Sequence, residues 1–426
     1  MKTLQAGFAT VDITPRGGCD INGFIARKQP ALGVRKAVMG RVLVLQVERW
    51  RGVVAVCDLL GFTLKDSLTI EGAIARAARV PVKNVLLACT HTHSAPVSMP
   101  LGTVGRVRRE YVATIKTKLA RAAREAAADA APVEDVRFAT GDASEFGSFR
   151  CATREPGRSH WPGRFAVLRI ERSDAAPILL LHLGLHPYVL GPKNRYVHPD
   201  YPGNTCDELE RRTGGRALFV PGCGADVMPQ PPGADSPAAV ARFGRKLAGR
   251  VLASLRRSRC ISLGPARSAV LSPIIRYGWM PPGARKVNEN EPAIQAQRGA
   301  DERARRNLRE WLRGLRQGTV PASLPFRTHV MRLGDVVLVG MPAELFWDTG
   351  TDLAHAVRGA TVLTVSHAGG DVGYLPRPFA YKHRTYECAS AHQWYRTAGA
   401  ALPGSEAALR KAAARKARRL LGGSSR

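Results

Sequence analysis

The sequence predicts an α/β protein, and three observations carry that prediction: short apolar runs of strand type, helical patterns lying between them, and polar residues gathered just past the strand ends. The first residues, up to Phe8, read directly into a strand pattern. Arg41–Leu45, Gly52–Cys57 and Asn84–Cys89 are short, near-continuous and rich in Val and Leu, as strands buried on both faces are. Between the last two, residues 64–79 read as a helix. A second helix is predicted from Arg109 to Ala131, where alanines alternate with charges and Ala131-Pro132 supplies the stop. Further strands are expected at Ala166–Ile170, Ile178–Leu181, Ala217–Val220, Asp335–Val339 and Thr361–Val365. No internal repeat or low-complexity linker interrupts them, and Trp279–Gly318, opened by Pro281-Pro282-Gly283, is the candidate insertion, either a lid or a surface excursion.

The chain has 426 residues with 64 Lys+Arg against 34 Asp+Glu, a formal net charge of +30. With 45% apolar and 23% charged residues it has globular composition, which excludes wholesale disorder and fibrous repeats. Arginine outnumbers lysine about four to one, which a GC-rich coding sequence produces without any anionic partner. Clustering is the competing observation: Arg303, Arg305, Arg306, Arg309, Arg313 and Arg316 share one stretch, and residues 405–426 form a basic C-terminal helix. In the first stretch Leu308, Trp311, Leu312 and Leu315 fall at i, i+3, i+4 and i+7, so the arginines take the solvent face. No nucleic-acid motif accompanies them. The N-terminus lacks a signal-peptide pattern and no apolar run nears the roughly 20 residues of a membrane helix, so a soluble, cytoplasmic protein is expected. Eight cysteines without a C-x-x-C pair are read as buried free thiols.

The chemistry collects after the strands. Thr90-His91-Thr92-His93 follows Asn84–Cys89, and such an H-x-H pair either presents two imidazoles to a metal or is simply hydrogen-bonded in its loop. The Asp and His that a metallo-β-lactamase needs just downstream are missing from Ser94-Ala95-Pro96. After Ile178–Leu181, His186 beside Pro187 is the more exposed candidate, while His182 reads as a satisfied core histidine. The glycines of Pro221-Gly222-Cys223-Gly224-Ala225-Asp226 lack a phosphate-loop pattern and let backbone pass close to a site. Glu344, in an apolar stretch after a buried strand, needs a metal ion or an arginine partner. Gly369-Gly370-Asp371-Val372-Gly373-Tyr374 follows another strand, with Tyr386-Glu387 twelve residues past Tyr374. Histidines, a glutamate and tyrosines at strand ends are what a catalytic zinc site requires.

Ala6-Gly7-Phe8-Ala9-Thr10-Val11-Asp12-Ile13-Thr14-Pro15, Cys57-Asp58-Leu59-Leu60-Gly61, residues 84–96, His186-Pro187, Asp200-Tyr201-Pro202-Gly203, Pro342-Ala343-Glu344 and Gly373-Tyr374-Leu375-Pro376 occur in this order. In these motifs the sequence resembles the neutral/alkaline non-lysosomal ceramidases and their shorter bacterial relatives. The resemblance implies mixed β-sheet layers flanked by helices, in one zinc hydrolase domain spanning residues 1–426. It also implies one zinc ion held by His91, His186, Glu344 and Tyr374, with His93 as proton-transfer partner, Tyr386 on the oxyanion and Arg150 near the site. A zinc-activated water would then attack an amide carbonyl, and His93 would return a proton to the leaving amine.

Departures bear on the substrate. Met228 replaces the serine of the ceramidases' Gly-Asp-Val-Ser-Pro-Asn turn, Ala95 stands in place of a glycine, and Gly369-Gly370 occupy the place of an expected asparagine. No C-terminal immunoglobulin-like domain of the ceramidase kind is expected after the basic helix. The expected function is therefore a zinc-dependent amidohydrolase acting on a small N-acyl or amide substrate, with anionic and ceramide-like molecules among the candidates, of unspecified oligomeric state. An ester or lactone hydrolase, an acyl-transferring cyclase, and a non-catalytic basic binding protein are the alternatives.

Overall fold

The structure, a computed structural model, describes residues 4–25, 27, 29–101, 105–150, 160–230, 236–281 and 302–422, the side chains of 302–304 excepted. The first half of the chain builds a large sheet from β1 (Leu4–Asp12), β2 (Met39–Val47), β3 (Trp50–Cys57), β4 (Val85–Cys89), β5 (Ala131–Asp142), β6 (Arg164–Arg172), β7 (Ala175–Leu183) and β8 (Arg216–Pro221). Their spatial order is β8-β7-β6-β5-β1-β2-β3-β4, with Arg259–Cys260 paired beside β5. Neighbours run antiparallel except β3 with β4 and β7 with β8. Helices α1 (Leu64–Ala78), α2 (Arg109–Ala128), α3 (Asp200–Thr213) and α4 (Pro237–Leu255) cover one face. The second sheet has order β9-β10-β11-β13, from β9 (Ala266–Leu271), β10 (Thr328–Leu333), β11 (Val336–Gly340) and β13 (Thr361–Val365); the short β12 is Glu344–Leu345. Its one parallel pair is β11 with β13.

Side-chain alternation along the strands sorts the core into three seams. Val42, Val44, Val53, Ala55, Val85 and Leu87 face α1 and α2. The alternate residues Leu43, Leu45, Val54, Val56, Leu86 and Ala88 face Met331, Leu333, Leu338 and Leu363 of the second sheet. Val330, Val337 and Val339 turn outward onto Leu353 of α6 (Trp347–Ala356) and Leu409, Ala413 and Ala417 of α7 (Ser405–Leu421). Both sheets are thus buried on both faces in a helix–sheet–sheet–helix stack. The near-continuous apolar runs are the sequence image of that arrangement, and mixed sheets flanked by helices are as expected.

Two expectations change. The second helix ends at Ala128, and Ala131-Pro132 opens the twelve-residue β5 rather than ending the helix. β5 alternates half-buried and exposed residues at its start, which hides it among the alanines and charges before it. Not all cysteines are buried: Cys260 is exposed and Cys19 half-buried, while Cys151 lies outside the described residues. Of the proposed insertion, residues 282–301 are likewise outside. Its helix α5 (Glu302–Arg316) buries Leu308, Trp311 and Leu312, and Trp311 donates to the Thr397 carbonyl at 2.9 Å. Arg305, Arg306, Arg309, Arg313 and Arg316 lie on the exposed face, and α7 is a packed outer layer, as patterned. Among the described residues no helix is long and apolar enough to cross a membrane.

A buried histidine ties β10 to α1. Arg327 pairs with Glu71 of α1 and donates to His329 Nε2 at 3.0 Å, while Glu71 Oε1 lies 3.4 Å from the same nitrogen. Burial, and then the Arg327 charge, push His329 down to about 3. The unfolded chain therefore binds a proton here that the native state refuses between about pH 6.5 and 3. This contribution is complete above that window and is lost as pH falls through it. We expect His329→Gln, which keeps an acceptor but does not titrate, to lose about 2–3 kcal/mol less stability than the parent between pH 7 and 4.5. Urea unfolding at the two pH values measures this, and parallel losses would refute it.

Candidate functional site

Each of the three parallel strand pairs within the two large sheets sends two loops past its C-terminal ends, and all six loops meet. From β3 and β4 come residues 58–62 and 90–96; from β7 and β8, residues 184–188 and 222–227; from β11 and β13, residues 341–344 and 366–373. A crevice at strand C-termini is where open α/β sheets place ligands. The sheets are stitched together at this edge by Ala88–Ala368 pairing and by Cys89 N–H donating to the His367 carbonyl.

His91 has φ +67°, so the chain turns sharply after β4 and points the imidazole inward. Its Nδ1 donates to the Leu60 carbonyl at 2.8 Å. His186 follows β7, and its Nδ1 donates to the Gly224 carbonyl at 3.1 Å. That bond needs glycine: a Cβ on Gly224 would lie 2.6 Å from Leu185 N, and one on Gly222 2.8 Å from Gly184 N. With each Nδ1 bonded to a carbonyl, both Nε2 atoms present lone pairs. They converge on Glu344 Oε2, at 3.6 Å from His91 and 3.8 Å from His186. His93 Nε2 lies 3.2 Å from His186 Nε2, and the three histidines form a cluster able to hold a metal ion. Glu344 stands in β12, paired in parallel with β14 (Tyr374–Leu375), which sets Tyr374 beside it.

The carboxylate is 1% exposed; Tyr395 Oη donates to its Oε1, and Oε2 has no hydrogen-bond partner. Burial pushes Glu344 up to about 7, against the pull of His91. Burial also drives His93 and His186 well below their ordinary range, reinforced by neighbouring histidines. For His91 burial acts downward, but Glu344 and Asp371 outweigh it and raise its pKa. An orphaned carboxylate oxygen facing two imidazole lone pairs fits a cation of the zinc type, for which His and Glu are ordinary ligands.

His91, His93 and Glu344 of this cluster line a cavity of about 290 Å³. One wall carries Arg150, Tyr374 and Tyr386; the other is apolar, with Leu60, Leu101 and Trp394. Arg150 Nη1 donates to Glu387 Oε1 at 3.1 Å and Tyr374 Oη at 3.3 Å. Tyr386 is 38% exposed at the mouth.

All seven residues singled out from the sequence, His91, His93, Arg150, His186, Glu344, Tyr374 and Tyr386, therefore come to one place. One ranking is reversed: His186 is 3% exposed, while His182 is the half-buried one, though its Nε2 is satisfied by the Thr364 carbonyl at 2.9 Å. His186 is buried because the 222–227 turn closes over its loop. Sequence reasoning assigned no role to Tyr395, Glu387, Asp371 or His367. Glycines flanking Asp371 signalled a tight turn; nothing local marks Tyr395.

No protein-family model matches the chain, and no curated protein matches it. Solved structures do. A crystal structure of neutral ceramidase from Pseudomonas aeruginosa superposes with a TM-score of 0.74 at 17% identity, over 99% of this chain and 75% of that one. A structure of ceramidase complexed with C2 gives 0.77 at 17% identity, over 99% of this chain and 76% of that one. The chain has a neutral ceramidase-like fold.

Proposed function

We propose that the chain is a zinc-dependent amidohydrolase that cleaves the N-acyl amide of a small molecule with an apolar acyl group, a ceramide-like amide among the candidates. The observation that carries this reading is the convergence of His91 Nε2, His186 Nε2 and the orphaned Glu344 Oε2 beside a half-apolar cavity that His91 and Glu344 line. These three residues would hold the metal, with Tyr374 as fourth ligand. A bound zinc ion supplies a Lewis acid and makes water nucleophilic near neutral pH.

The chain's own groups do the rest. His93, whose Nδ1 has no partner, moves the proton: it accepts one as water adds to the carbonyl carbon and returns it to the nitrogen as the C–N bond breaks. Tyr386 donates its O–H to the developing oxyanion from the open side of the cavity. Arg150 orients the Tyr374 hydroxyl, its own charge balanced by Glu387. Leu60, Leu101 and Trp394 take the acyl group and exclude water around it.

Elemental analysis of protein purified without chelator is expected to give about one zinc per chain, the number a single four-ligand site holds. Glu344→Gln, equal in shape but uncharged, should lose most of it. A parent protein that neither contains nor takes up zinc overturns the reading. On a fluorogenic N-acyl amide, His93→Ala should keep the metal yet drop kcat by roughly 10²–10⁴-fold, the usual weight of a positioned proton-transfer group. Turnover at the parent rate would remove His93 from the mechanism.

A further inference from the structure

We propose that His367 and Asp371 are a positioning pair that locks His91 in its metal-binding tautomer and ring plane; the inference rests on the metal-centre reading above. Neither residue lines the cavity, so neither would touch substrate. Both are buried, at 7% and 4% exposure.

Three features single the pair out. The His367 ring stacks on that of His91, centroids 3.9 Å apart and planes 10° from parallel. Asp371 Oδ2 accepts from His367 Nδ1 at 2.9 Å and lies 3.5 Å from His91 Nδ1, while its Oδ1 accepts from Gly373 N–H at 2.9 Å. Thus the Nδ1–H of His91 faces the Leu60 carbonyl and a carboxylate together, which keeps the proton there and the Nε2 lone pair on the cluster. A carboxylate behind a ligating imidazole also raises its basicity. Finally, His91 and His367 both hold left-handed backbone, at φ +67° and +53°, strain that surrounding structure must over-determine. The Asp371 loop carries three glycines in the same region, at φ +78°, +124° and +90° for Gly369, Gly370 and Gly373. A Cβ on Gly373 would lie 2.7 Å from the Tyr395 ring, itself bonded to Glu344. The loop is thereby shaped to deliver one carboxylate behind one histidine.

The experiment is zinc affinity by competition with a chromogenic chelator, alongside thermal unfolding of the zinc-stripped proteins. Asp371→Asn preserves shape and should bind zinc about 10–100-fold more weakly, the usual effect of losing an outer partner, with stripped-protein unfolding close to the parent's. His367→Ala should weaken zinc similarly, and His367→Asn, whose amide N–H can still donate to Asp371, should recover part of the loss. If His367→Ala fails to fold, Asp371→Asn decides alone. Parent-like affinity in Asp371→Asn overturns the pair's role while leaving the metal centre intact. Weaker binding that merely tracks a less stable stripped protein makes the pair a structural tie and overturns the proposal too. A parent that takes up no zinc overturns both this inference and the reading beneath it.

Discussion

The structure depends on one constraint: three pairs of parallel strands, drawn from two sheets, must end at the same edge. Parallel pairs cannot be joined by tight hairpins, so each needs a long crossover, and the chain supplies helices for them. α1 joins β3 to β4, α3 joins β7 to β8, and α6 joins β11 to β13. All six emerging loops are thereby released at the C-terminal ends, where His91, His186 and Glu344 follow their strands within a few residues. The antiparallel strands between them complete the sheets, and to the site they add Arg150, beyond Gly147–Phe149, and Phe24, in the connection from β1 to β2.

Face-to-face burial of the sheets makes that edge rigid. Leu86 and Ala88 of β4 pack on Leu338 and Leu363 across the seam, and the same strands carry His91 and His367 a few residues later. Stacking the two imidazoles at 3.9 Å is therefore a consequence of core packing rather than of the loops alone. A close-packed interior transmits displacements instead of absorbing them. A cavity opened at Leu86 or Leu363 would consequently be felt in the relative placement of the histidine cluster.

How much of this was legible in the sequence follows from the same physics. Strands buried on both faces announce themselves as unbroken apolar runs, so β2, β3, β4, β7, β8, β11 and β13 were readable. β5 was not, since its half-exposed first residues follow α2 without a recognisable break and resemble a helix end. The histidines and Glu344 stood out because such groups are costly in apolar sequence unless something binds them. The carbonyls of Leu60 and Gly224 that fix each imidazole, by contrast, are backbone atoms brought in by the fold, and they leave no mark on residue identity. Tyr395 reaches Glu344 from fifty-one positions away in a stretch with no local pattern. The burial of His186 is hidden for a related reason: the turn that covers it follows a different strand.

The same distance between local sequence and assembled site governs the charge. A surface of +30 suggests a protein seeking anions, yet the site itself is acidic. Glu344, Asp371 and Glu387 are all at most 4% exposed, and Arg150 is the sole guanidinium lining the cavity among the described residues. Three buried carboxylates are expensive to hold together in a low-dielectric interior, and among the described residues only Glu387 has a guanidinium partner, the half-buried Arg150. On the proposed reading a divalent cation would offset these carboxylates, and Arg150, paired with Glu387, adds no unpaired positive charge to the cavity. The interior would, on that reading, take a metal ion first and then a neutral, apolar acyl group. Selection for an anionic molecule would have to act outside the cavity, on the exposed arginines, where screening by salt makes it a matter of encounter rate rather than of recognition.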